Sequence, residues 1–256
     1  MKKGQKLWTR QELILAINLY CKLPFGKLHK QNDEIINLST LIGRTPSAVA
    51  LKLVNFASLD PSLKARGIKG ASNSSKLDKE IWDEFYNNWE DLAFESELER
   101  ARIENRSVLE ENFVDINTIP EGKTKEQVVK ARINQTFFRK SILAAYNATC
   151  CITGLVQAEL LIAAHIKPWS IDTKNRLNPR NGIAINALHD KAFDKGLITI
   201  SQEYRVKVSS ILLHQKKVPV IEQYFLAYHN KEIILPSRFL PDPEFLVYHN
   251  EHFFQP

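Results

Sequence analysis

The sequence predicts an α+β chain: a helical N-terminal part, then a C-terminal part of short strands and helices. Two observations carry this. Through most of residues 7 to 94, apolar residues recur at three- and four-residue steps, the period of helices buried on one side. Between Cys150 and Ile200 the pattern changes. An apolar run, Leu160-Leu161-Ile162-Ala163-Ala164, ends in His165, and a polar loop leads to Asn181-Gly182. A second short apolar run follows, and a segment with helical spacing then stops at Gly196.

Length and composition bound the rest. A chain of 256 residues holds one large domain or two ordinary ones. Its 44% hydrophobic and 25% charged content is that of an ordinary globular protein. No run nears the roughly 18 apolar residues of a membrane span, and the start, MKKGQKLWTRQE, lacks a signal-type apolar region. The expectation is a soluble, cytoplasmic protein without a membrane partner. Cys21, Cys150 and Cys151 do not make a disulfide framework. Cys150-Cys151 also lacks the gap of a zinc knuckle, so no structural zinc is expected. A net charge of +6 and a pI near 9.1 fit a polyanionic partner.

In chain order, Thr9 and Glu12 have the spacing of a capping box, and Leu13, Ala16, Ile17 and Tyr20 form an apolar face behind it. Pro24 and Gly26 break that helix. Asn32 or Asp33 caps a second helix, with Ile35, Ile36, Leu38 and Leu41, which ends at Gly43. In Arg44-Thr45-Pro46-Ser47, Thr45 is an N-cap and Pro46 a first helical residue. Helix, glycine turn and capped helix resemble a helix-turn-helix or Myb-like unit. That resemblance implies that Arg44, Thr45, Ser47 and Lys52 face DNA; the alternative is an interaction module with a solvated basic edge.

Residues 60 to 76 read as a basic loop, and Ile81, Trp82, Phe85, Tyr86 and Trp89 as a helix face. The acidic stretch from 95, followed by Pro120 and Gly122, reads as a connecting helix or linker. The expected organisation is therefore a helical DNA-binding domain over 1–94, a linker over 95–122 and a second domain over 123–256. A helix from Lys123 places Arg132, Gln135 and Arg139 on one face, which could grip phosphates or pair with carboxylates of its own domain.

The strand, His165, loop, Asn181-Gly182, strand and helix carrying His189, Asp190 and Asp194 resemble the ββα-metal finger of the HNH endonucleases. The run Ala164-His165-Ile166-Lys167-Pro168-Trp169 is similar to the restriction-endonuclease-like branch of that group. Arg132-x-x-Gln135-x-x-Phe138-Arg139 ahead of Cys150-x-x-Thr153-Gly154 extends the likeness, which covers about residues 123 to 254. The resemblance implies a metal-dependent DNA endonuclease with His165 as general base and Asn181 holding the base's backbone. A typical finger carries two histidines one helix turn apart. Counting from Asn181, eight intervening residues lead to Asp190 and three more to Asp194, a carboxylate version of that pair. His189 stands one residue early; it remains a candidate as ligand or catalytic group if the helix starts late. Ala164 occupies a position that bears a metal ligand in other HNH enzymes.

Carboxylates and water suit one Mg²⁺ or Mn²⁺ per site. Lys167 and Arg180 are candidate phosphate contacts. The partner implied is double-stranded DNA, with a homodimer if both strands are cut. A non-catalytic DNA-binding regulator that retains the HNH fold is the alternative.

Overall fold

The computed structural model describes residues 6–68, 74–108 and 124–256. The chain divides into two compact units, Met1–Lys140 and Ser141–Pro256.

The first unit is helical. Thr9 caps α1 (Arg10–Lys22) in the capping box with Glu12, and Leu13, Ala16, Ile17 and Tyr20 are buried along it. Asn32 caps α2 (Asp33–Leu41), whose turn reaches Gly43 at a φ of 63°. Thr45 then caps α3 (Pro46–Leu59), with Pro46 in its first turn. Short α4 (Pro61–Ala65), α5 (Lys76–Phe85) and α6 (Trp89–Ile103) follow, and α1 packs against α2, α3, α5 and α6. Ile81, Trp82, Phe85 and Trp89 lie in this core, and Trp82 stacks on Phe56 and Tyr86.

The acidic stretch from residue 95, read as a connecting helix or linker, continues α6 to Ile103. The buried positions of α6 are Trp89, Leu92, Ala93, Ser96 and Ala101. Small residues let α6 lie close on α1 while giving a weak hydrophobic signal. The rest of the expected linker, from residue 109, falls outside the described residues. Helix α7 (Lys125–Ala145) begins in the first unit and ends in the second, and the compact units part after Lys140.

In the second unit, β1 (Leu161–His165) pairs antiparallel with β2 (Gly182–Asn186), setting Leu161 opposite Asn186 and His165 opposite Gly182. Helix α8 (Ala187–Asp194) starts as β2 ends, capped by Asn186, and packs on both strands. Gly196, at a φ of 66°, closes α8; a Cβ there would lie 1.9 Å from the Phe253 carbonyl oxygen. A second hairpin, β3 (Ile198–Ile200) with β4 (Val206–Val208), and helices α9 (Ser210–Leu213), α10 (Pro219–Tyr224) and α11 (Pro243–His252) complete the unit. Among the described residues, no helix is long and apolar enough to cross a membrane.

Candidate active site

His165 is the last residue of β1, where strand pairing fixes its backbone and the loop beyond is open to other groups. Its Nε2 lies 2.8 Å from the Arg176 carbonyl oxygen. A carbonyl only accepts, so Nε2 carries the proton and Nδ1 the lone pair of the neutral ring. Burial holds the His165 pKa below its ordinary value, partly offset by the Arg176 hydrogen bond and the charge of Asp194. The ring is therefore neutral near pH 7 and able to take a proton.

Asn181 is fully buried and spans the loop. Its Oδ1 accepts from the Lys167 amide at 2.8 Å, and its Nδ2 donates to the carbonyls of Lys167 (3.0 Å) and Asn175 (3.3 Å). The Ile166 amide also donates to the Asn181 carbonyl at 3.0 Å. One asparagine thus clamps both polar groups of the residue two beyond His165, and an apolar replacement would orphan them.

Helix α8 sorts its three candidate ligands. His189 is buried: its Nε2 donates to the Tyr224 carbonyl, its Nδ1 accepts from Asn186 Nδ2 at 2.7 Å, and Phe225 and Tyr228 pack against its ring. Both ring nitrogens have partners within the protein, so His189 is placed as a core residue. The cause is the helix start at Ala187, which turns position 189 inward. Asp190 and Asp194, one helix turn apart, share another face. Burial first, and the charge of Asp194 second, push the Asp190 carboxyl up to about 6.

These two carboxylates and His165 are electrically coupled through Asp194. Residues 150–201 match the HNH endonuclease family. The match begins at Cys150 and closes just after β3, so the HNH segment contains the whole ββα unit. No curated protein matches the chain.

Within the HNH segment, Asp190, half-buried, and Asp194, exposed, supply oxygen donors of the kind that fit a hard divalent cation. The fit stops at two protein ligands: among the described residues, no group of three or more His, Cys, Asp or Glu is placed to hold an ion. Phosphate and water oxygens would complete the shell of Mg²⁺ or Mn²⁺.

The basic candidates divide by surroundings. Lys167 Nζ pairs with Asp172 at 3.1 Å and lies over the Tyr248 ring, while Arg180 pairs with Asp242 at 2.9 Å. In the first unit, Arg44 binds Glu12 at 2.7 Å and the Leu7 carbonyl at 2.6 Å, with its guanidinium 4.1 Å from the Trp8 ring. Lys52 is buried against both Asp78 oxygens, at 2.7 and 2.8 Å. Arg44 and Lys52 are thus internal ion-pair partners, a correction to their expected place on a DNA-facing edge. Thr45 spends its hydroxyl on the α3 cap, and Ser47 is exposed beside it. Arg132, Gln135 and Arg139 are all exposed on α7, opposite buried Ile133 and Phe137.

Sequence reasoning missed Arg176 and Trp169 as neighbours of His165. The Trp169 ring stands edge-on to the imidazole at 5.6 Å, and the Arg176 guanidinium lies over Trp169 at 5.2 Å. Trp169 was visible only as part of a motif, and Arg176 as one basic residue in a polar loop.

Proposed function

We propose that the protein is a metal-dependent DNA endonuclease whose base is His165. The observation that carries this is the imidazole tautomer. With Nε2 donating to Arg176, Nδ1 is the atom that takes the proton of an attacking water. As the water oxygen bonds to phosphorus, the bond to the 3′ oxygen breaks. Asn181 keeps the loop behind the imidazole fixed, so the base is aimed before substrate arrives. Asp190 and Asp194 would hold one Mg²⁺ or Mn²⁺. Such an ion, when bound, supplies Lewis-acid stabilisation of the phosphoryl oxygens and the leaving group.

The HNH match and a net charge of +6 support double-stranded DNA as substrate. In the first unit, the exposed α7 face with Arg132, Gln135 and Arg139 and the α3 start with Thr45 and Ser47 are the surfaces we assign to DNA. A restriction or modification-dependent defence role is the setting we infer from the Ala164-His165-Ile166-x-Pro168-Trp169 motif. A homodimer would let two sites cut both strands.

The test is cleavage of modified and unmodified plasmid in Mg²⁺ and Mn²⁺ against a chelator. Ala164 at a ligand position and a protein donor set of only two carboxylates favour a second reading, a DNA-binding regulator that keeps the fold. Metal-independent binding without cutting would select it.

A further inference from the structure

We propose that Arg176 is the cation that grips the scissile phosphodiester, through hydrogen bonds from its guanidinium to a non-bridging phosphate oxygen. This rests on the nuclease reading of the same site. Phosphoryl transfer builds charge on those oxygens, and a preplaced donor beside the base stabilises it without reorganisation. Lys167 and Arg180, the basic residues that the motif brings forward, are each already neutralised by an aspartate. Arg176 differs: among the described residues it makes no ion pair, and its buried Nε–H has no acceptor. Other buried polar atoms also lack partners, but the Arg176 Nε–H is the one among them that lies in the His165–Trp169 cluster, where an arriving phosphate would supply the acceptor.

Position supports the assignment. The Arg176 carbonyl receives the His165 Nε2–H at 2.8 Å, so the residue cannot lie far from the imidazole. Its guanidinium rests on the Trp169 ring at 5.2 Å, and that ring meets His165 at 5.6 Å. A guanidinium held on an aromatic face can offer phosphate a planar, two-point grip, a geometry that lysine lacks. One residue thereby sets the base's tautomer through its backbone and offers charge through its side chain. The charge of Asp194 also acts on the imidazole.

The side chain and backbone parts are separable, because substitution keeps the carbonyl. In single-turnover plasmid cleavage, Arg176→Gln is expected to lower the rate on the order of 100-fold or more, as removal of one such donor does elsewhere. Arg176→Lys should recover part of that loss, and thermal melting and the pH profile of the remaining activity should match wild type. Binding to duplex DNA in chelator should show a log affinity against log salt slope shallower by about one unit for Arg176→Gln. Arg176→Gln cutting at the wild-type rate, or an unchanged salt slope, would overturn the proposal. So would a shifted pH profile, which would mean that the residue acts only through His165. If wild-type protein binds duplex without cutting it, the nuclease reading fails, and the slope still decides whether Arg176 holds phosphate.

Discussion

His165 and Arg176 are joined by a 2.8 Å hydrogen bond from the imidazole Nε2–H to a backbone carbonyl. This contact assigns the ring's two nitrogens their roles, because it leaves Nδ1 as the only proton acceptor. Replacing His165 with Ala should reduce cleavage by a factor on the order of 10²–10⁴ while leaving metal and DNA binding close to wild type. Single-turnover cleavage together with a gel-shift titration checks this; full-rate cutting by His165→Ala would place the base elsewhere.

The pH dependence has a definite sign. His165 must be neutral to act, and burial moves its pKa below the ordinary 6.5. Activity should therefore rise with pH and reach its plateau below neutrality. Asp190, at about 6 without metal, must lose its proton to hold a cation. Half-saturating Mn²⁺ should consequently increase as pH falls beneath about 6. Asp190→Asn and Asp194→Asn should each raise the Mn²⁺ requirement, and activity that ignores both changes would count against the carboxylate pair.

Asn181 is a stability residue as much as a site residue. Its side chain satisfies three backbone groups in the loop between β1 and β2. Asn181→Ala should cost on the order of 3 kcal/mol and lower activity along with the melting temperature of the second unit. Asn181→Asp keeps the acceptor but loses the two donated bonds, so urea denaturation should place it between the two.

Much of this was legible in the chain. Thr9 with Glu12 and Thr45 with Pro46 act within one helical turn, so local spacing shows them. Other features depend on distant residues. Lys52 is a free cation by sequence, and only folding brings it to Asp78, 26 positions away. Arg44 meets Glu12 across a similar gap of 32 positions. His189 and Asp190 differ by one residue, about 100° around α8, so the exact helix start decides which is buried. Residues 95 to 103 carry a weak apolar signal because their buried positions, Ser96 and Ala101, are small.

The Lys52–Asp78 pair gives a test of the first unit. Asp78 is fully buried, its carboxylate accepting from Lys52 and the Ser75 amide. Asp78→Ala strands a buried ammonium and should destabilise the unit by roughly 3–5 kcal/mol. Calorimetry checks it; a loss near zero would show that Lys52 escapes to solvent.

His249 supplies a pH-dependent term in the second unit. Its ring stacks on Phe193 at 3.7 Å, with Thr199 Oγ1 at 2.7 Å from one nitrogen and the Phe193 carbonyl at 3.2 Å from the other. Burial holds its pKa at about 4, below the unfolded value near 6.5. The unfolded chain takes up the proton first, so stability is lost as pH falls from about 6.5 toward 4, by up to roughly 3 kcal/mol. Urea midpoints measured across that window should fall, and His249→Gln should flatten the trend.

The most direct test of the central claim is cleavage of supercoiled plasmid by wild-type protein and His165→Ala, with Mg²⁺ or Mn²⁺ and with chelator. Wild type should cut only with metal, and His165→Ala should cut almost nothing at equal DNA binding. Wild-type protein that binds the plasmid in metal yet leaves it supercoiled would contradict it.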